Sequence, residues 1–237
     1  MIVLIPAAGN GRRFAEAGYK EPKPMIDVLG KPMVIQVANN VVPDPDNDEL
    51  VLITRKEHNV GLGEYWGNGR VIALDHETGG AVETILEAKP VIDNLHKHED
   101  LPILIANCDQ LVDFDVKEFV NTDLDGRLVV FPSSKPHHSY VKTEGDVITE
   151  IAEKVVISNQ AVTGVYYFKS SKAFFTACQA VIDRDQRTNG EFYVSSAIAE
   201  MIGAGRHIGV YEAPSTMLGT PEELQHFLVA ARVAKTL

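Results

Sequence analysis

Apolar residues fall along this 237-residue chain in two rhythms. Short unbroken apolar runs at residues 2–5, 50–54, 71–74 and 103–106 read as buried strands. Between them, residues 33–42 and 81–95 carry helical patterns, the second with apolar side chains at Ala81, Val82, Ile85, Leu86 and Ala88. Strands alternating with helices predict βαβ crossovers and a largely parallel sheet. After Asp115 the chain becomes strand-rich, at 127–132, 147–152 and 161–168, and helices return at 172–182, 195–202 and 221–234. The last helix opens on Thr220-Pro221-Glu222-Glu223, a capping Thr, Pro at the first helical position and Glu at the third. No repeat and no low-complexity linker interrupts the pattern. A single α/β domain over residues 1–237, three-layer and Rossmann-like around a mixed, mostly parallel sheet, is the expected fold. Ligands of such sheets sit beyond the carboxyl ends of the strands, so the residues after them are the first place to look for chemistry.

Composition narrows the function. The chain carries 22 basic and 33 acidic side chains, a formal charge of −11, which argues against general binding of nucleic acid or anionic membrane. The opening apolar run stops at Pro6 with no basic segment before it, so neither a signal peptide nor a membrane span is expected. Cys108 and Cys178 make no disulfide framework and suit a reducing, cytoplasmic setting. Positive charge gathers between residues 12 and 31, where Arg12, Arg13, Lys20, Lys23 and Lys31 stand against three acids. By charge alone that cluster is a solvated surface; the glycines beside it change its meaning.

Directly after the first strand comes Ala7-Ala8-Gly9-Asn10-Gly11-Arg12-Arg13-Phe14. Two glycines let the backbone turn and aim N–H groups at an oxyanion, and the two arginines add charge. A dinucleotide fingerprint would need a small residue at Phe14, and Gly30-Lys31-Pro32 lacks the hydroxyl of a P-loop. Further along stand Pro22-Lys23-Pro24, with prolines restricting the backbone around Lys23, and Gly30-Lys31-Pro32-Met33. With these three blocks in order, the chain resembles the nucleoside-diphosphate-sugar pyrophosphorylases, a family of sugar-phosphate nucleotidyltransferases. Arg12 stands where that family commonly has a small hydroxyl residue.

The resemblance implies the nucleotide-diphospho-sugar transferase type of fold, with residues 1–115 as its nucleotide-binding part and 116–237 as its acceptor-binding part. It implies that Ala8, Gly9, Gly11 and Arg12 hold a nucleoside triphosphate, with Arg13 and Lys23 as catalytic cations. Asp109, in Asn107-Cys108-Asp109-Gln110 after the fourth apolar run, falls where the family carries its metal-binding Asp. An acid there suits Mg²⁺, a hard cation that takes carboxylate and phosphate oxygens together. The Asn-Cys-Asp-Gln form looks like a subgroup associated with bacterial surface polysaccharides. Cys108, with no evident His partner, reads as a small buried neighbour. Thr78-Gly79-Gly80-Ala81 falls where the family reads the base, so Gly79 and Gly80 are assigned to the nucleotide.

On the acceptor side the resemblance assigns Lys154 to the acceptor phosphate and Glu153 to its hydroxyls. On a regular strand those neighbours would point to opposite faces. Gly164 is expected to let the ligand approach, and Asn189 and Glu191, in Asn189-Gly190-Glu191-Phe192-Tyr193-Val194, belong to another acceptor-side block. Ser215-Thr216-Met217-Leu218-Gly219 lacks the second metal-binding Asp that many relatives carry before Gly-Thr-Pro. Asp113-Phe114-Asp115 spells the metal motif of glycosyltransferases, yet Asp115 with Glu118 reads better as a helix cap. The histidine pairs His96/His98 and His137/His138 read as surface residues.

The implied reaction transfers a nucleoside monophosphate from a triphosphate to a phosphorylated small molecule, a sugar 1-phosphate in the first reading, for surface-polysaccharide precursors. A cytidylyltransferase acting on a phosphorylated amine or amino acid would use the same residues. A metal-dependent glycosyltransferase and a non-catalytic nucleotide-binding relative remain as further alternatives, and homo-oligomerisation is left open.

Overall fold

A computed structural model describes residues 1–58, 69–97 and 99–234. The strands are β1 (Ile2–Ala7), β2 (Asp27–Val28), β3 (Lys31–Pro32), β4 (Glu49–Arg55), β5 (Arg70–Leu74), β6 (Ile103–Ala106), β7 (Gln110–Val112), β8 (Gly126–Pro132), β9 (Ser139–Glu144), β10 (Val147–Glu153), β11 (Gln160–Phe168), β12 (Ile208–Glu212) and β13 (Ser215–Met217). The helices are α1 (Arg12–Glu16), α2 (Met33–Val41), α3 (Ala81–Leu86), α4 (Lys89–Leu95), α5 (Val116–Val120), α6 (Ser171–Asp183), α7 (Val194–Gly203) and α8 (Pro221–Ala234).

Among the described residues, nine strands form one continuous mixed sheet in the order β5-β4-β1-β6-β11-β8-β12-β10-β9. The β5-β4-β1-β6 half is parallel, and β11 joins it antiparallel to β6. The unbroken apolar runs have a direct cause. Ile2 and Leu4 pack into a core with α3, α4, α6 and α7, whereas Val3 and Ile5 pack into a second core with α2 and α5. Both faces of the sheet are therefore dry, and a run such as Ile103–Ala106, buried at all four positions, has no polar face to show.

The helix expected over 81–95 divides in two. Pro90 stands in the first turn of α4 and brings no N–H, and the chain resets through Glu87 and Ala88 between α3 and α4. A third, smaller core joins Phe14, Ile26, Val28 and Met33 to Leu218 and Leu224 of the C-terminal segment. It fastens the glycine loop and the Pro-Lys-Pro turn to α8. Tyr19 packs edge-on against Phe14, with ring centroids 5.2 Å apart, and its hydroxyl accepts from Gln225 Nε2 at 2.9 Å. Among the described residues, no helix is long and apolar enough to cross a membrane.

Candidate active site

The carboxyl ends of β1, β5 and β6 open onto a cleft of about 570 Å³. Its floor is the glycine loop, residues 7–14; its walls are Lys23, Glu77, Thr78, Gly80, Thr84 and Asp109. A second cleft of about 260 Å³ adjoins it, lined among others by His138, Ser139, Glu153, Lys154, Gly164, Tyr193 and Glu223. Arg13, Ala81, Asn107, Asp109 and Gly219 line both. The two spaces therefore share a border, and that border carries one cation and one carboxylate.

Local packing explains why the glycine loop takes its shape. Gly11 has φ 58°, and a Cβ there would lie 3.0 Å from Lys23 Cβ, so the missing side chain lets the Pro-Lys-Pro segment close on the loop. Lys23 begins a single 3₁₀ turn after Pro22, with Pro24 buried. Its ammonium meets the Asp109 carboxylate as an ion pair and stands 5.8 Å from the centre of the Phe14 ring. Burial alone would lower the Lys23 pKa, but the carboxylate of Asp109 outweighs it, with help from Cys108, and the net direction is upward. Lys23 is thus a permanent cation.

Asp109 is fixed by its backbone. Its carbonyl accepts from Leu218 N at 2.8 Å, and β7 pairs with β13 so that Gln110 faces Met217. This draws Gly219 alongside, where a Cβ would lie 3.1 Å from Asp109 Oδ2 and 3.4 Å from Glu223 Oε2. Glu223 closes the expected capping box: its N–H donates to Thr220 Oγ1 at 3.2 Å and its carboxylate accepts from Thr220 N at 3.1 Å. The position before Gly219 lacks an acid, yet Glu223 brings a carboxylate to the same glycine. Among the described residues, no cluster of three or more His, Cys, Asp or Glu is arranged to hold a metal. One carboxylate facing an open cleft does suit Mg²⁺, which keeps most of its coordination for phosphate and water oxygens. Burial pushes the Cys108 thiol up to about 11, against the opposing pull of Lys23, so it is no nucleophile near neutral pH.

Glu153 and Lys154 line the second cleft together, although they are neighbours at a strand end. Lys154 adopts φ 57°, which ends β10 and breaks the alternation that would have sent the two side chains to opposite faces. Its N–H donates to the His138 carbonyl at 3.1 Å. Glu153 accepts from Ser139 Oγ, directly opposite on β9, and from Ser195 Oγ at 2.7 Å. The Lys154 ammonium lies over the Tyr193 ring, 4.3 Å from its centre, and donates to the Tyr193 hydroxyl.

The remaining expectations have mixed outcomes. Gly164 lines the smaller cleft, and a Cβ there would lie 2.3 Å from Asn107 Nδ2, so this glycine also makes room for the Asn107 carboxamide. The Gly79 N–H is already committed to the Glu83 carboxylate, and Gly80 is required because a Cβ would sit 2.5 Å from the Phe192 N and O. Of these two, Gly80 lines the cleft and Gly79 does not. Asn189 lies in an exposed turn with φ 51°, outside the lining of both clefts, and Glu191 lines the larger cleft. Gly30-Lys31-Pro32-Met33 forms the small β2–β3 hairpin and starts α2, away from the cleft. Asp115 is a helix cap, its carboxylate accepting from Lys117 N at 2.8 Å and Glu118 N at 3.2 Å. His137 is exposed and His138 half-buried, and both line the smaller cleft. His98 of the other pair lies outside the described residues. Sequence singled out neither Ser139 nor Ser195, which carry no local pattern that separates them from ordinary polar positions, and it gave Asn107, Tyr193 and Glu223 no place in the site beyond their motif blocks and the helix start.

The fold thus places at the strand ends a two-part cleft whose shared border carries Arg13 and Asp109. Comparison with known proteins gives the family. Residues 2–209 match the family model of the nucleotidyl transferases, and the chain belongs to this family of enzymes. The UTP–glucose-1-phosphate uridylyltransferase AglF of Haloferax volcanii is 26% identical over 94% of this chain and 93% of that one. The bifunctional protein GlmU of Aquifex aeolicus is 25% identical over 94% of this chain but only 49% of its own length. Among solved structures, the nucleoside-diphosphate-sugar pyrophosphorylase of Vibrio cholerae RC9 superposes with a TM-score of 0.84 at 24% identity, covering 97% of this chain and 100% of that one. The UTP-bound UGPase of Acinetobacter baumannii gives 0.74 at 16% identity, covering 97% and 92%.

Proposed function

We propose that the protein transfers a nucleoside monophosphate from a nucleoside triphosphate to a sugar 1-phosphate, releasing pyrophosphate, in the cytoplasmic synthesis of surface-polysaccharide precursors. The architecture is then that of a three-layer, Rossmann-like nucleotide-diphospho-sugar transferase, with residues 1–115 supplying most of the nucleotide half and 116–237 most of the acceptor half. The observation that carries this reading is the shared border: Arg13 and Asp109 line both clefts, so ligands in the two spaces meet at a common point.

In this reaction a phosphate oxygen of the acceptor attacks the α-phosphorus in line and the bond to pyrophosphate breaks. A monophosphate has its second pKa near ~6, so the acceptor arrives mostly as its own nucleophile and needs no general base. The barrier lies in charge repulsion and alignment. Ala8, Gly9, Gly11 and Arg12 cradle the triphosphate, and Arg13 and Lys23 offset charge on it as the α-phosphorus becomes five-coordinate. Gly80 lines the base end of the same cleft. Asp109 would hold Mg²⁺, which screens the triphosphate when bound. Lys154 anchors the acceptor phosphate, while Glu153, already oriented by two serine hydroxyls, accepts from acceptor hydroxyls. The name of the Haloferax relative makes UTP and glucose 1-phosphate the first pair to try. Pyrophosphate release with Mg²⁺, across four ribonucleoside triphosphates and a panel of sugar 1-phosphates, tests the proposal. Acceptor-dependent release from one pair supports it; release from none would sink it.

A further inference from the structure

Lys154 is held more tightly than a surface lysine needs to be. Its backbone sits in the left-handed region at φ 57°, uncommon for a residue with a side chain, and its N–H is tied to His138. Its ammonium is met from one side by Tyr193, which offers both the face of its ring and its hydroxyl oxygen. The polarity of that hydroxyl is fixed. Its single proton goes to Glu191 Oε2 at 2.5 Å, so only lone pairs remain, and these face the ammonium. Tyr193 itself is set by position, since it caps α7 immediately after buried Phe192. An ammonium on a four-carbon stem otherwise samples many rotamers, and freezing it on binding costs affinity.

We propose that Tyr193 is the positioning residue for Lys154: ring and hydroxyl hold the ammonium over the acceptor cleft before the acceptor phosphate arrives. This rests on the assignment of Lys154 to the acceptor phosphate. Tyr193 acts through Lys154, so its removal weakens acceptor binding and leaves triphosphate binding alone.

The contact itself is read in the free protein. Lysines are dimethylated with ¹³C-formaldehyde, which keeps their charge, and the Lys154 signal is assigned by its loss in Lys154→Arg. The ring places that signal upfield of exposed lysines in the wild type and in Tyr193→Phe; in Tyr193→Leu it returns to the exposed position. A signal identical in wild type and Tyr193→Leu overturns the proposal. The functional consequence is read with the triphosphate–acceptor pair that turns over in the pyrophosphate assay. Tyr193→Leu raises the acceptor KM about tenfold and Tyr193→Phe about threefold, with the triphosphate KM unchanged. Equal rises in both KM values would mark general damage to the site and overturn the positioning role. The resonance decides the contact whether or not any pair turns over, so failure of the functional reading stays distinguishable from failure of this one.

Discussion

Lys23 and Asp109, 86 residues apart in sequence, close on each other as a partly buried ion pair at the border of the two clefts. Pro22 and Pro24 set the lysine's backbone, and the β7–β13 pairing sets the aspartate's. In the proposed reaction each also has a role beyond the pair, Lys23 toward the triphosphate and Asp109 toward a metal. Asp109→Asn should lower turnover at least about a hundredfold. It also strips Lys23 of its counter-charge, a cost of about 1–3 kcal/mol in stability. Lys23→Met in the same chain should recover part of that stability and none of the turnover, as read by urea unfolding beside pyrophosphate release. An Asp109→Asn enzyme with wild-type turnover would remove Asp109 from the metal role.

The glycines of the site divide by what surrounds them. Gly80→Ala forces a Cβ to within 2.5 Å of the Phe192 backbone at φ 140°, and should cost more than about 2 kcal/mol. At Gly9 a Cβ meets nothing within 4 Å. Gly9→Ala should therefore melt like the wild type yet raise the triphosphate KM, because the methyl group stands in the cleft. Melting curves and steady-state kinetics on the two variants check this. Equal melting losses would show the loop to be structural only.

Asp115 offers a clean separation of two chemistries. As a helix cap, its replacement by Ala should cost about 1 kcal/mol and leave both KM values and kcat unchanged. A metal-binding Asp-x-Asp would instead lose activity with either aspartate. Chemical denaturation and kinetics on Asp115→Ala distinguish the outcomes.

His138 should impose an acid-side loss of stability. Burial, with His137 and Lys135 nearby, lowers its pKa from 6.5 to about 4. As the pH falls between those values the unfolded chain binds a proton that the folded chain refuses, so stability is lost from 6.5 down toward 4. Unfolding midpoints at pH 7 and pH 5 should drop less in His138→Asn than in the wild type. Equal drops would contradict a neutral, sequestered imidazole.

Much of this was legible in the sequence where local chemistry decides. Strands β1, β4 and β6 announced themselves because both faces are dry, and α8 because Thr220, Pro221 and Glu223 fit a helix start. What escaped depends on contacts distant in sequence. Strand β9 is polar at four of its six positions and becomes a strand by pairing with β10 and β11. The histidine pair at 137 and 138 looked like surface because nothing nearby in sequence announces the cleft it lines. Glu153 and Lys154 could share a cleft only through one left-handed residue, which no side-chain pattern reveals. Likewise, no local pattern reveals that Gly164 also makes room for the Asn107 carboxamide.

In the proposed reaction the new bond forms at the α-phosphorus, at the border lined by Arg13 and Asp109. Parallel reactions with triphosphate labelled at the α- or the γ-phosphorus test it most directly, using Mg²⁺ and the acceptor found in the pyrophosphate assay. α-Label is expected in the acceptor-linked product and γ-label in pyrophosphate, both lost together in Asp109→Asn. Transfer of γ-label to the acceptor would contradict it.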